Sequence, residues 1–309
     1  MNYSFKIVLA ILVLLTTLIG AERETHIKEL FAIATIGDAR LSQQSQQAKI
    51  KLSSYGGEAA KFLVTQLRRI NPLKFETAKE VLTMIGDDAL PYLVAALSDT
   101  SPKVSSAAAE ILGAIKSKKA VSPLKIAALH GDVNLKSAAC WALGEIGDTS
   151  AVDVLTQALF DTSALVRRAA AYSLGQLGYC KNIDAALLGL LSDGHYSVRY
   201  AAFDALRRMC TPKLKEKVKL RLKNANPPER DFLIVLLGCF GDEVENDLAS
   251  FVQSTNYFER GFACEALGNV RGNYKVANIL KKALWDSSPF VRMKALRALE
   301  NLKKPHNLR

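Results

Sequence analysis

Histidine and recognisable catalytic motifs are scarce in this chain of 309 residues. The only four histidines are scattered along the sequence: His26, His130, His195 and His306. No CxxC pair or His/Cys cluster has the spacing of a zinc site, and neither a G-x-S-x-G nucleophile motif nor a phosphate-binding glycine loop is present. We therefore expect a protein that is not an enzyme, with no catalytic residue, bound metal or cofactor.

Long apolar runs are also lacking, apart from one at the N-terminus. Lys6 precedes the uncharged segment 7–20 (IVLAILVLLTTLIG), and Ala21 and the charged residues 22–24 follow it. A basic start, an apolar core and small residues before a polar boundary are typical of a secretory signal. This run of 14 residues is shorter than the roughly 20 that cross a bilayer comfortably.

We accordingly expect residues 1–21 to form a cleaved signal peptide. An uncleaved membrane anchor at residues 7–21 and a buried N-terminal helix remain as alternatives. Under either of the first two interpretations the positive flank stays in the cytoplasm. The remainder of the chain would then be exported, either to the periplasm or to the cell exterior.

After this segment the sequence repeats itself with a period of about 30 residues. A Leu-Gly pair recurs at 112–113, 143–144, 174–175, 237–238 and 267–268, and its glycines are 31 residues apart between Gly113 and Gly175 and 30 apart between Gly238 and Gly268. A second marker recurs in steps of 30 to 32 residues, at Val104, Leu135, Val166, Val198, Glu229, Glu259 and Val291. Such self-similarity is the signature of a repeat architecture.

Each repeat is predicted to contain two helices. Apolar residues follow helical spacing over 151–159 and again over 166–177. The segment 161–164 (DTSA) between them contains a helix stop and an N-cap for the next helix. Gly175 and Gly178 are expected to end the second helix and to allow a left-handed backbone. One pair cannot bury its apolar stripe alone, so we expect the pairs to stack.

The D-x-x-x-x-V-R run at 161–167, its partial copies at Asp99, Asp193 and Asp286, and the A-A-x-x-L-G-x-x-G that follows resemble the HEAT-repeat family. The LG-x-IG-D ending at 143–148 is most similar to the subgroup named for phycobilin lyases. The resemblance covers about residues 27–303. It implies an all-α fold, an α-solenoid in which about nine helix pairs form a right-handed superhelix. Residues 22–309 would be one solenoid whose last unit is half a repeat.

Charged residues also recur once per repeat, namely Arg167, Arg199, Arg230, Arg260 and Arg292, with Lys136 in the fourth unit. In the HEAT family the equivalent Asp and Arg residues form a ladder along the turns between repeats. The resemblance therefore assigns these arginines to architecture and not to a ligand site.

Positions that differ between units are better candidates for function, because a repeat scaffold specialises its exposed face. The resemblance implies that the second helices line the concave surface. The residues two and six positions after each marker are predicted to lie on this surface. Among them we predict a partner-binding site composed of Trp141, Tyr172, Tyr200, Arg168, Glu110 and Asp204. Aromatic residues provide much of the contact energy at interfaces. Alternatively, the rings pack over small neighbours such as Ala138 and Ala169.

The net charge of +11 has its densest source in a basic patch at Arg207, Arg208, Lys213, Lys215, Lys217, Lys219, Arg221 and Lys223. Leu214, Val218 and Leu222 would form the buried stripe of a first helix, which places much of this patch on the convex side. We interpret it as a solvated face. Binding to an anionic membrane surface or to an acidic partner is the alternative, and nucleic acid is a less suitable partner for an exported protein.

Five cysteines would face an oxidising compartment after export. Cys140 and Cys264 lie at the same repeat position but several units apart, so they cannot reach each other. Cys180, Cys210 and Cys239 lie near turns of consecutive units, so one neighbouring pair could form a disulfide. The favoured interpretation is that all five are small buried hydrophobic residues.

Together these patterns favour a monomeric, non-catalytic scaffold of the cell envelope that binds a protein or an extended peptide. None of the histidines is followed by Glu, so the chain lacks the His-Glu pairs of the di-iron hydroxylases that are built on HEAT arrays. A bilin lyase-like enzyme is a further alternative implied by the repeat subgroup. Export disfavours it, because it would separate the protein from that cytoplasmic chemistry.

Overall fold

The structure is a computed structural model that describes residues 20–68, 71–178, 183–270 and 274–303. Within these ranges every regular element is a helix, and the helices form nine consecutive pairs. The chain divides into two compact units, Met1–Val154 and Leu155–Arg309. The all-α solenoid predicted from the repeats is thereby confirmed.

Unit 1 contains four complete pairs, each with a first and a second helix. They are α1 (residues 20–34) and α2 (Ser42–Ser53), α3 (Gly57–Gln66) and α4 (Pro72–Ile85), α5 (Leu90–Ala96) and α6 (Pro102–Ile115), and α7 (Val121–His130) and α8 (Val133–Ile146). Short 3₁₀ helices at Gly86–Ala89 and Lys118–Ala120 lead into α5 and α7.

Unit 2 continues the same plan after α9 (Val152–Ala158), which crosses the boundary between the units. It contains α10 (Ala164–Leu177), α11 (Ile183–Leu190), α12 (Tyr196–Arg208), α13 (Pro212–Leu222), α14 (Glu229–Leu237), α15 (Glu245–Phe251), α16 (Tyr257–Leu267), α17 (Tyr274–Ala283) and α18 (Pro289–Leu302). The last repeat, α17 and α18, is therefore a complete helix pair, and the prediction that it is half a repeat is wrong.

The aspartate at the predicted helix stop orders the turn between the two helices of a pair. Asp161 Oδ1 accepts a hydrogen bond from the backbone N–H of Ser163, at 2.8 Å, directly before α10. Asp193 and Asp286 make the same bond two residues ahead, each at 2.8 Å. Short polar side chains are suited to this role, since they satisfy backbone donors that a helix start leaves unpaired.

The core lies between consecutive pairs, where the predicted apolar positions are buried. Val166, Ala170 and Leu174 of α10 are each 0% exposed. The glycine of the Leu-Gly pair has a different role from the predicted one. Gly175 lies inside α10 and does not end it, and a Cβ atom built on it would be 2.9 Å from Ala205 Cα of α12. The glycine lets two second helices approach closely, whereas Gly178, with φ +79°, supplies the predicted turn after the helix.

This close approach predicts opposite effects for two Gly→Ala substitutions in unit 2. Gly175→Ala should destabilise the unit by about 1–3 kcal/mol, because the added methyl group overpacks the contact with Ala205. Gly189→Ala is the matched control, since a Cβ atom on this exposed helical glycine meets nothing within 4 Å. Removal of a helical glycine should there stabilise by about 0.5–1 kcal/mol. Chemical denaturation of both variants measures the difference, and equal effects would contradict the assigned role of Gly175.

Most of the apolar run at residues 7–20 lies outside the described residues, so its prediction as a signal or anchor stays a prediction. Among the helices that the structure describes, none is long and apolar enough to cross a membrane.

Candidate functional site

Three of the recurring arginines of unit 2, Arg167, Arg230 and Arg260, link consecutive helix pairs. Arg260 donates from Nε and Nη2 to the two carboxylate oxygens of Asp286, at 2.7 and 2.9 Å, and from Nη1 to the carbonyl oxygens of Ser254 and Thr255. Arg167 donates in the same way to Asp193, at 2.7 and 3.0 Å. The Asp–Arg ladder implied by the HEAT resemblance is thus present, and it serves to join repeats.

The electrostatics of these carboxylates agree with a structural role. The hydrogen bond from Arg260 outweighs partial burial and holds the pKa of Asp286 below its ordinary value. Burial alone would raise the pKa of Asp193, but the hydrogen bond from Arg167 and the backbone N–H of His195 lower it. Both groups therefore stay ionised and paired at neutral pH.

One rung of this ladder is incomplete. The carboxylates that pair with Arg167 and Arg260 both lie 26 residues after the arginine. At the same distance from Arg199 the sequence has Ala225. Arg199 Nη1 still donates to the carbonyl oxygen of Asp193, at 2.6 Å. Its Nε, however, is buried and has no hydrogen-bond partner.

A second unsatisfied charged group lies nearby in α14. Oδ1 of Asp231 is buried and accepts no hydrogen bond. Burial and the negative charge of Glu259 raise the pKa of Asp231, although the charge of Arg230 opposes them. Native proteins pair nearly all buried polar atoms, so each exception calls for an explanation.

Both groups line a cavity of about 260 Å³ between second helices of unit 2. Its walls are mainly aromatic, contributed by Tyr196, Tyr200 and Phe203 of α12, Phe232 of α14 and Phe262 of α16. Ring centroids of Phe203 and Phe232 are 5.5 Å apart, and Tyr196 stacks on Tyr200 at 6.2 Å. We call this cavity the aromatic pocket.

The rings of α12 face the pocket because of their spacing. Tyr196, Tyr200 and Phe203 occupy positions i, i+4 and i+7, which lie on one side of a helix. Tyr196 and Tyr200 are 63% and 52% exposed, although large apolar side chains are usually buried. These two rings are therefore available for contact with another molecule.

The residues of the predicted partner-binding site do not all come together. Trp141 and Glu110 lie in unit 1, where Glu110 pairs with Lys79 at 2.6 Å. Tyr172 accepts a hydrogen bond from Gln176 and lies 5.9 Å beneath the guanidinium of Arg208. Of the six predicted residues, Tyr200 lines the aromatic pocket.

Asp204 and Arg168 lie on second helices of unit 2 but have different surroundings. Asp204 pairs with Arg207 and Arg208, each at 2.9 Å. Burial would raise the pKa of Asp204, but these two arginines hold it below its ordinary value. Arg168 of α10 has a buried Nε without a hydrogen-bond partner, as Arg199 does.

Ion pairs largely neutralise the predicted basic patch. Leu214, Val218 and Leu222 are buried as predicted, so most of the patch lies on the first helix α13. The pairs are Lys215 with Glu243, Lys217 with Asp184, Lys219 with Asp247, Arg221 with Glu229, and Arg207 and Arg208 with Asp204. Lys213 and Lys223 are exposed and pair with none of the described residues. The surface consequently has little free positive charge.

Sequence reasoning missed most of the aromatic pocket. Phe232 and Phe262 each lie three residues after their repeat marker, and Asp231 lies two residues after it. The recurrence of phenylalanine 30 residues apart is a usable signal for the pocket. It lies at neither of the two positions, two and six after the marker, from which the binding site is predicted. The sequence gives no such signal for Arg199, because Arg230 also has no acidic residue 26 positions later and yet pairs with Glu259.

Two cysteines form a disulfide, which corrects the expectation that all five are small buried hydrophobic residues. Cys210 follows α12 and Cys239 follows α14, with Cα atoms 6.3 Å apart. This distance lies in the usual range for a bridge. Cys140 and Cys264 are buried outside this bridge, as predicted, and burial raises the pKa of Cys264 to about 12. Cys180 lies outside the described residues.

In the described part of the chain no group of three or more His, Cys, Asp or Glu side chains could hold a metal ion.

Stacked helix pairs, arginine rungs and close-packed glycines define an α-solenoid protein. The family model for HEAT repeats matches residues 60–135 and 125–207. Residues 60–207 therefore match HEAT repeats, in agreement with the sequence resemblance. The finer assignment to the phycobilin-lyase subgroup stays a prediction. No curated protein sequence matches the chain significantly.

Three solved structures are similar to this chain over most of its length. The Escherichia coli protein YibA is 22% identical with a TM-score of 0.54, and the match covers 83% of this chain and 97% of YibA. Human deoxyhypusine hydroxylase, solved in complex with glycerol, is 20% identical with a TM-score of 0.37 over 81% of this chain and 98% of its own. An engineered protein is 19% identical with a TM-score of 0.43, over 90% and 89% of the two chains. The likeness to YibA supports the fold alone.

Proposed function

We propose that this protein is a non-catalytic scaffold that binds an extended segment of a partner protein on the second helices of unit 2. The observation that carries the proposal is the aromatic pocket, where exposed tyrosines stand beside two unsatisfied charged groups. Rings in this setting supply large contact area at a low cost in side-chain entropy. Aromatic residues that served packing alone would be covered by their own chain.

The proposed location is outside the cytoplasm, in the cell envelope. The bridge between Cys210 and Cys239 supports this location, because structural disulfides persist in oxidising compartments and are rare in the cytosol. The basic start and apolar run of the first 20 residues are in agreement with export.

Capture of partners from the native cell envelope tests the proposal. Wild-type protein is compared with the double variant Tyr200→Ala/Phe232→Ala, which removes two walls of the aromatic pocket. We expect at least one protein bound by the wild type to be lost, because truncation of a central aromatic residue costs about 2 kcal/mol or more at an interface. The affinity of that protein, once purified, should fall about 30-fold or more.

The matched control is Lys219→Ala/Leu220→Ala on the first helix α13, where Leu220 is 66% exposed. This variant also removes exposed side chains but leaves the aromatic pocket unchanged, so it should retain every partner. Equal capture by the wild type and by Tyr200→Ala/Phe232→Ala would show that the partner does not bind at the pocket.

A further inference from the structure

Two of the four charged residues that line the aromatic pocket form no ion pair within the described part of the protein. Lys294, at one side of the pocket, pairs with Glu265 and lies 5.3 Å over the ring of Phe262. Arg199 and Asp231, in contrast, form no ion pair with each other or with any other described residue. Both residues line the pocket, and Nε of Arg199 and Oδ1 of Asp231 are buried without a hydrogen-bond partner.

The origin of the unpaired donor lies in the loop before α14. Ala225 replaces the carboxylate that completes the rungs of Arg167 and Arg260, and Pro227 and Pro228 follow it. Arg230 also lacks a carboxylate at that place and pairs instead with Glu259. The corresponding Glu229 is bonded to Arg221 and Ser192, so Arg199 has no carboxylate partner. Desolvation of an unpaired charge is costly, so an incoming group that pairs with it gains binding energy.

The size of the pocket limits what it can hold. Its volume of about 260 Å³ is below the roughly 300–1,000 Å³ of sites for drug-sized ligands, so it suits a single side chain. A larger cavity of about 500 Å³ lies against α13, but its charged groups Lys217, Arg221 and Glu229 are already paired.

The chemistry of the walls selects the charge of that side chain. Ring faces carry partial negative charge and attract ammonium and guanidinium groups. The carboxylate of Asp231, which forms no ion pair within the described part of the protein, attracts the same cation. Lys294 and Glu265 line the pocket as an ion pair and largely offset each other. An acidic side chain would approach Arg199 but would be repelled by Asp231 and by the ring faces.

We infer that the aromatic pocket binds a lysine or arginine side chain from an extended segment of the partner protein. The cation lies between the rings and pairs with the carboxylate of Asp231. This inference rests on the proposed function, which it deepens by naming the chemistry of the bound segment.

Small probes test the charge preference without knowledge of the partner. N-acetyl-arginine N-methylamide and its lysine equivalent are titrated into the full chain, and binding is followed by ¹H–¹⁵N NMR. Isosteric N-acetyl-citrulline N-methylamide and the glutamate equivalent are the neutral and acidic comparisons. We expect the two basic probes to shift signals of α12, α14 and α16, with dissociation constants on the order of millimolar.

Asp231→Asn distinguishes recognition from a structural role. It should weaken binding of the basic probes about tenfold or more, the scale of a lost hydrogen bond between charged groups. It should also maintain or raise the melting temperature, because the replaced carboxylate has no partner in the fold. Asp247→Asn, on the first helix α15, is the control and should leave binding unchanged.

Ala225→Asp tests the origin of the open site. The new carboxylate supplies Arg199 with the partner that Arg167 and Arg260 have, so the melting temperature should rise. A lowered melting temperature would show that Arg199 is not an unfilled rung.

Several outcomes overturn the inference. The first is equal NMR signal shifts from the arginine and citrulline probes. The second is stronger binding of the glutamate probe than of the basic probes. The third is that Asp231→Asn binds the basic probes as the wild type does. A loss of melting temperature in Asp231→Asn would show that the carboxylate serves the fold. If the probes fail but partner capture still depends on Tyr200 and Phe232, the inference falls and the proposed function stands. If the probes bind but no partner depends on the pocket, the proposed function falls.

Discussion

Arg260→Ala is expected to destabilise unit 2 by about 3–4 kcal/mol, the range for removing one partner from a largely buried ion pair. Arg260 and Asp286 are each 15% exposed, and the arginine also satisfies the carbonyl oxygens of Ser254 and Thr255. The substitution therefore leaves a carboxylate and two backbone acceptors without their donor. Chemical denaturation followed by circular dichroism measures the loss.

The control for this prediction is Arg40→Ala in unit 1. Arg40 makes a similar two-pronged contact with Asp38, but its side chain is 88% exposed. Exposed ion pairs contribute little to stability, so this variant should unfold almost as the wild type does. A small effect of Arg260→Ala, comparable to that of Arg40→Ala, would mean that the ladder does not hold the repeats together.

Loss of the disulfide should have an effect of similar size. The bridge closes a loop of 29 residues between Cys210 and Cys239. Closure of a loop of this length removes conformational entropy from the unfolded chain that corresponds to about 3–4 kcal/mol. The double variant Cys210→Ser/Cys239→Ser should therefore melt well below the oxidised wild type.

Dithiothreitol supplies the control for the disulfide prediction. It should lower the melting temperature of the wild type toward that of the double serine variant, and it should leave the variant itself unchanged. Cys140 and Cys264 are buried in the folded protein and do not contribute to this response. A wild type that is insensitive to the reductant would contradict a stabilising bridge.

The fold was largely predictable because each repeat places the same residue type in the same environment. The apolar positions of α10 and the aspartate that begins its turn follow directly from the period. Gly175 was misjudged because glycine commonly ends helices, a local preference of about 1 kcal/mol. Close contact with Ala205 outweighs that preference, and a contact between helices cannot be read from one helix alone.

The candidate site was only partly predictable, because it depends on hydrogen-bond partners that two charged side chains lack. Tyr200 was identified from its place on the second helix. The unsatisfied states of Arg199 and Asp231 depend on all their neighbours, including Ala225 in a separate loop. The disulfide likewise depends on the distance between two turns, which cysteine spacing does not give.

The most direct test of the central claim, that partners bind at the aromatic pocket, is site-specific photo-crosslinking in the native cells. Benzoylphenylalanine is placed at Tyr200 in the pocket and, for comparison, at the exposed Leu220 on α13. We predict a discrete crosslinked protein from position 200 that is absent at position 220 and is lost when Asp231→Asn is added. The same adducts from both positions, or an adduct from position 220 alone, would contradict the account.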